Sequence, residues 1–106
     1  MINTARVADL FDLRAAPPHV IMESKLRYSI VFNMLGIERK GIGIDVDAAK
    51  REVTVLARKA NETLKGGFYW TFGVPLDGMM SRMTTHYEGG ALEVVIPRAG
   101  GGVAFA

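Results

Sequence analysis

Few side chains in this sequence can move a proton or hold a metal. His19 and His86 are the only histidines. They are far apart in the chain, and neither sits in a His-x-His, His-Glu-x-x-His or clustered-acid pattern. His86 stands between Thr85 and Tyr87 in an alternating stretch, which predicts a polar, outward-facing side chain. Asp45 and Asp47 flank Val46 and share one strand face, where paired carboxylates without a neighbouring nucleophile read as a solvated strand end. The glycines at 36, 41 and 43 suggest a phosphate loop only superficially. A Walker loop needs Lys and then Ser or Thr after its second glycine, where this chain has Ile42 and Gly43. The dinucleotide fingerprint needs a helix next, and this stretch runs into a strand. With no cysteine at all, thiolate zinc sites, disulfides and thiol nucleophiles are excluded. No acid, base and nucleophile come together, so the expectation is no enzyme, no cofactor and no metal.

The aromatic run Phe68-Tyr69-Trp70-Thr71-Phe72 could offer a stacking platform for single-stranded nucleic acid, given Arg58, Lys59 and Lys65 nearby. Alternation instead sends Phe68, Trp70, Phe72 and Val74 to one side, with Phe68, Phe72 and Val74 as inter-sheet core, and leaves Tyr69 and Thr71 outside. Thirteen basic against eleven acidic residues give a net charge of +2, and the two signs are interleaved. The pI near 9.2 reflects that small excess, and a nucleic-acid partner is not expected.

The elements that carry these residues are short. Asn3 or Thr4 can cap an amphipathic helix over 3–14, with Val7, Leu10 and Phe11 on its apolar stripe. Pro17-Pro18 ends it. Strands are predicted at 19–23, 26–33, 41–46 and 52–58, followed by the aromatic strand and a final hairpin. In the second of these, Leu26, Tyr28, Ile30 and Phe32 share a face. Residues 79–83 fit a single helical turn. In the hairpin, Leu92, Val94 and Ile96 alternate after the Gly89-Gly90 turn, and the strand stops at Pro97. Six or seven short strands with frequent turns and no interior helix predict an all-β, immunoglobulin-like β-sandwich with a short N-terminal helix.

A chain of 106 residues fits a single domain. The expected division is an N-terminal amphipathic arm at 1–18, the sandwich at 19–98, and a flexible tail at 99–106 after Gly100-Gly101-Gly102. Hydrophobic residues make up 49% of the chain, too many for general disorder. No apolar run approaches the ~20 residues of a membrane span, and the first residues do not form an ordinary signal peptide. A cytoplasmic protein is the expectation.

The order of these features resembles the small heat-shock protein, or α-crystallin, domain. Phe68-Tyr69-Trp70-Thr71-Phe72-Gly73-Val74-Pro75 resembles that family's aromatic segment ending in Phe-x-(Leu or Val)-Pro. Tyr87-Glu88-Gly89-Gly90-Ala91-Leu92-Glu93-Val94-Val95-Ile96-Pro97 resembles its polar strand, glycine turn and apolar strand, with Gly90-Ala91-Leu92 in place of Gly-Val-Leu. Met34-Leu35-Gly36-Ile37 is similar to its Leu-Pro-Gly-Phe turn. The likeness spans about 19–98. It departs at Trp70, where relatives often carry arginine, and at 59–67, which is shorter than the exchanged loop of bacterial and plant members.

The resemblance implies an α-crystallin-type sandwich acting as an ATP-independent holdase, which binds partly unfolded proteins and keeps them from aggregating. It implies a groove for clients or tails between Ile42, Ile44 and Val46 on one side and Met83, Thr85 and Tyr87 on the other. Val7, Leu10 and Phe11 are a second contact for clients or assembly. Trp70 is an interface candidate, with burial in the chain's own core as the other reading. Val103 and Phe105 stand for the family's docking tail motif. A homodimer or larger homo-oligomer is expected. The alternative is a non-chaperone interaction module on the same fold, acting as a subunit of a larger assembly.

Overall fold

A computed structural model describes residues 18–58 and 67–99. The helix expected at 3–14 and the tail with Val103 and Phe105 lie outside the described residues. The described chain forms seven strands: β1 (His19–Glu23), β2 (Arg27–Asn33), β3 (Ile42–Asp47), β4 (Glu52–Arg58), β5 (Gly67–Gly73), β6 (Thr84–Glu88) and β7 (Ala91–Pro97). They make two antiparallel sheets, one in the order β1-β2-β7-β6 and the other β3-β4-β5. Single turns of 3-10 helix precede β3 and β6, at Arg39–Gly41 and Met80–Arg82. The second lies within the helical turn expected at 79–83.

Period-two alternation explains which faces meet. Tyr28, Ile30 and Phe32 of β2, Val53, Val55 and Ala57 of β4, and Leu92, Val94 and Ile96 of β7 are all buried. Trp70 and Phe72 join them from β5. The Phe32 ring lies 6.2 Å from the Trp70 ring, stacked at 16°, and 6.2 Å from the Phe72 ring at a tilt. Trp70 is 5% exposed, so the candidate interface residue points into the chain's own core. An apolar ring suits that place, where an arginine would have to bury its charge.

Two residues of this region depart from simple alternation. Leu26 does not share the inner face of β2; it is exposed, because Ser24 folds the chain back before the strand begins. The Ser24 hydroxyl accepts hydrogen bonds from the Leu26 and Arg27 N–H groups, each at 3.2 Å, an ST-turn that ends β1. Ser29 belongs to the outer face yet is buried. Its hydroxyl donates to the Glu93 carboxylate at 2.6 Å, which satisfies it there. The β6–β7 turn is as its sequence demands. Gly89 and Gly90 have φ of 59° and 78°, the left-handed pair that a two-residue hairpin of matching twist requires.

Removing the Trp70 ring takes away its stack on Phe32 and opens a large cavity between the sheets. Trp70→Ala is expected to cost about 3–5 kcal/mol, read from urea unfolding followed by circular dichroism. In the unmutated chain the indole emission should shift to the red on unfolding. A native emission already at the wavelength of water-exposed indole would contradict the packing.

Candidate functional site: the flank between two edge strands

Phe32 fixes how the sheets lie over one another. Its contacts place β5 over β2, and the link from β6 to Ile37 sets β3 on the side of β6, which leaves β4 over β7. Tyr87 of β6 ties this flank together, its hydroxyl donating to the Ile37 carbonyl just ahead of β3. Each of β3 and β6 pairs with one described strand only. Both therefore turn a row of backbone N–H and C=O groups outward.

Register decides where the six groove candidates point. Ile42, Ile44 and Val46 stand opposite Ala57, Val55 and Val53, on the face that looks into the sandwich. Thr85 and Tyr87 stand opposite Val94 and Leu92, on the matching face of β6. Ile42, Ile44, Met83 and Tyr87 are half-buried and pack on the core. Val46 is 41% exposed, and Thr85 is exposed as well. The result is two apolar rows on one flank, seated at the core and opening outward at Val46 and Thr85.

The polar residues singled out by type lie elsewhere. His86 is exposed on the outer face and lies 3.1 Å from the Glu88 carboxylate. His19 is half-buried with its ring 6.0 Å from that of Phe32. Asp45 is exposed, and Asp47 accepts the Lys50 N–H at 3.1 Å, closing the β3–β4 turn. Among the described residues no group of three or more His, Asp or Glu side chains could hold a metal. Nor is any described helix long and apolar enough to cross a membrane.

A polar clasp at the end of the four-stranded sheet where β1 stops and β2 begins was not readable from the sequence. Arg98 donates to Asp77 at 2.9 Å, to Glu23 at 2.8 Å and to the Ser24 carbonyl at 2.8 Å. Its guanidinium carbon lies 4.8 Å from the centre of the Tyr28 ring, within cation–π range. The Tyr28 hydroxyl donates to Asp77 at 2.8 Å. These partners come from β1, β2, the 74–79 loop and the end of β7, and no local pattern links them. Burial first, then the hydrogen bond to Asp77, pushes the Tyr28 hydroxyl up to about 12. Burial acts to raise Asp77, but the hydrogen bonds from Tyr28 and Arg98 outweigh it and hold the carboxyl below its ordinary value. Arg51 makes a smaller anchor. At φ 54° it donates to the Pro75 and Gly78 carbonyls, at 2.6 and 2.7 Å.

HSP18.5 from E. histolytica matches at a TM-score of 0.69 and 19% identity, covering 88% of this chain and 98% of its own. A small heat-shock protein from Xylella fastidiosa matches at 0.70 and 17%, covering 86% and 93%. The fold is that of the small heat-shock proteins. Heat shock protein 16.0 from Schizosaccharomyces pombe repeats the small heat-shock match at 0.69 and 17%, covering 88% and 96%. No family model and no curated protein sequence matches the chain. The likeness to small heat-shock structures thus lies in strand order and packing, at low sequence identity.

The clasp gives stability a defined pH dependence. Asp77 is depressed in the folded chain, so its contribution is present above the unfolded carboxyl value of about 4 and is lost as pH falls through the lower folded value. Tyr28 is raised, so its contribution is present below about 10 and is lost as pH climbs towards about 12. Urea unfolding across pH should show both losses. Asp77→Asn should flatten the acid limb, and Tyr28→Phe should remove a late-ionising tyrosine from the ultraviolet titration.

Proposed function

We propose that this chain is an ATP-independent holdase that binds partly unfolded proteins along the flank between β3 and β6. The observation that carries the reading is the pairing of two unpaired strand edges with two inward apolar rows on one side of a closed sandwich. An extended client segment can add its backbone to a free edge while alternate side chains enter the apolar row, so that main-chain bonds supply affinity without demanding one sequence. Ile42, Ile44, Met83 and Tyr87 would form the floor, with Val46 and Thr85 at the mouth. The small heat-shock fold supports this use of the flank, and so does the absence of any acid, base and nucleophile grouped in the sequence.

The same physics favours self-association. Val103 and Phe105 are two positions apart and match the spacing of an extended segment in such a groove, so the tail is its natural competitor. Assembly as a homodimer or larger homo-oligomer follows from edges that seek partners. A cytoplasmic setting belongs to this reading.

Heat-induced aggregation of a model client, followed by light scattering without ATP, is expected to be suppressed at a several-fold molar excess of the protein. Absence of suppression, with a small discrete species in solution, would favour a fixed-partner interaction module instead. Within the groove, Val46→Asp places a charge at an already exposed position, so the fold should survive. Suppression should then fall several-fold, while the circular dichroism spectrum and the unfolding midpoint stay near those of the parent chain.

A further inference from the structure

A second apolar recess lies away from the β3–β6 flank. It is a groove of about 450 Å3 at the end of the four-stranded sheet where β1 begins and β2 stops. Pro18, Val20, Val31, Leu35, Gly90 and Ala91 line it together with His19 and Asn33, and no Asp, Glu, Lys or Arg does. Val20 and Val31 are cross-strand partners on the outer face of the sheet, and Val20 is 57% exposed. Leu35 is 71% exposed, yet the backbone beside it is fixed. The Met34 N–H bonds the Gly90 carbonyl at 2.7 Å, and the Leu35 N–H bonds the Asn33 side chain at 3.0 Å. A methyl group at Gly90 would come within 2.8 Å of the Leu35 side chain, so the glycine leaves Leu35 its seat. Met22 continues the apolar strip along β1, also exposed. Large apolar side chains held in place and left uncovered mark a surface made to be covered.

We propose that this groove is the seat of the chain's own residues 3–14, with Val7, Leu10 and Phe11 laid against Val20, Val31 and Leu35. Three observations select that occupant. The groove is lined by Pro18, the residue at which the preceding segment joins the sheet, so the segment is tethered at the site and its effective concentration there is high. Residues 12–17 separate Phe11 from Pro18 and can span at most about 20 Å when extended. That exceeds the ~17 Å length of a five-residue strand such as β1. Finally, the stripe of Val7, Leu10 and Phe11 is apolar, as most of the lining is; His19 and Asn33 are the polar side chains on its rim. The contact is distinct from the β3–β6 flank and does not depend on the chaperone reading.

The test places a photoreactive benzoyl-phenylalanine at Phe11 of the full chain, which preserves an aromatic ring. Cross-links are mapped by mass spectrometry in a mixture of heavy- and light-isotope chains. The expected result is cross-linking to Val20, Val31, Leu35 or Ala91 within one chain, reduced several-fold by Leu10→Ser and by Leu35→Ser. Leu35 is exposed on the sandwich, and circular dichroism checks the fold of both variants. Cross-links to the same residues in heavy–light pairs would assign the groove to a second copy and overturn the proposal. Cross-links concentrated on Ile44, Met83 or Thr85, or spread without a preferred site, would overturn it as well.

Discussion

Each backbone ladder ends at the edge of its own sheet, so the alignment of the two sheets rests on side-chain packing. Phe32 is the centre of that packing, between Trp70 and Phe72 across the interface. Because the stack sets β5 over β2, it also decides which edges become neighbours. A three-stranded sheet laid over a four-stranded one in this way leaves β3 beside β6 and β1 overhanging at the far side. Both apolar surfaces follow from that offset. One lies on the flank where two edges meet, and the other on the outer face where the overhanging strand begins.

Charges are distributed to suit. β3 carries Asp45 and Asp47 and β6 carries His86 and Glu88, all turned away from the inward rows. They keep the edges soluble while leaving the rows apolar. β5 has no charged residue between Gly67 and Gly73, so its edge lacks that protection. Half-buried charges are instead gathered into the Arg98 clasp, where a guanidinium and two carboxylates join the phenol of the buried Tyr28. Such a cluster contributes alignment as much as energy, since each partner accepts only a narrow geometry.

Much of this was legible in the sequence because β-structure writes itself with a period of two. The alternation in 28–32, 53–57, 70–74 and 92–96 names the inner faces, and the same count sends Trp70 inward whatever its relatives carry. The six groove candidates were legible as two alternating rows. What the sequence did not display was the meeting of those rows, since strand order depends on packing between distant segments. Nor did it display the clasp, whose hydrogen-bonded partners are 21 to 75 positions apart. Leu26 was misjudged because a serine turn overrides the alternation at the very start of β2. The recess beside Leu35 left only a faint trace: a leucine in a glycine turn, where a polar residue would be ordinary.

The clasp and the recess also stand at opposite ends of β1. Asn33 bonds the Pro18 carbonyl at one end, and Arg98 bonds the Leu26 carbonyl at the other. The segment before the sandwich and the segment after it therefore depart from opposite poles of one sheet, about a strand length apart. The length of the sandwich along β1 and β2 thus sets the two points of departure apart.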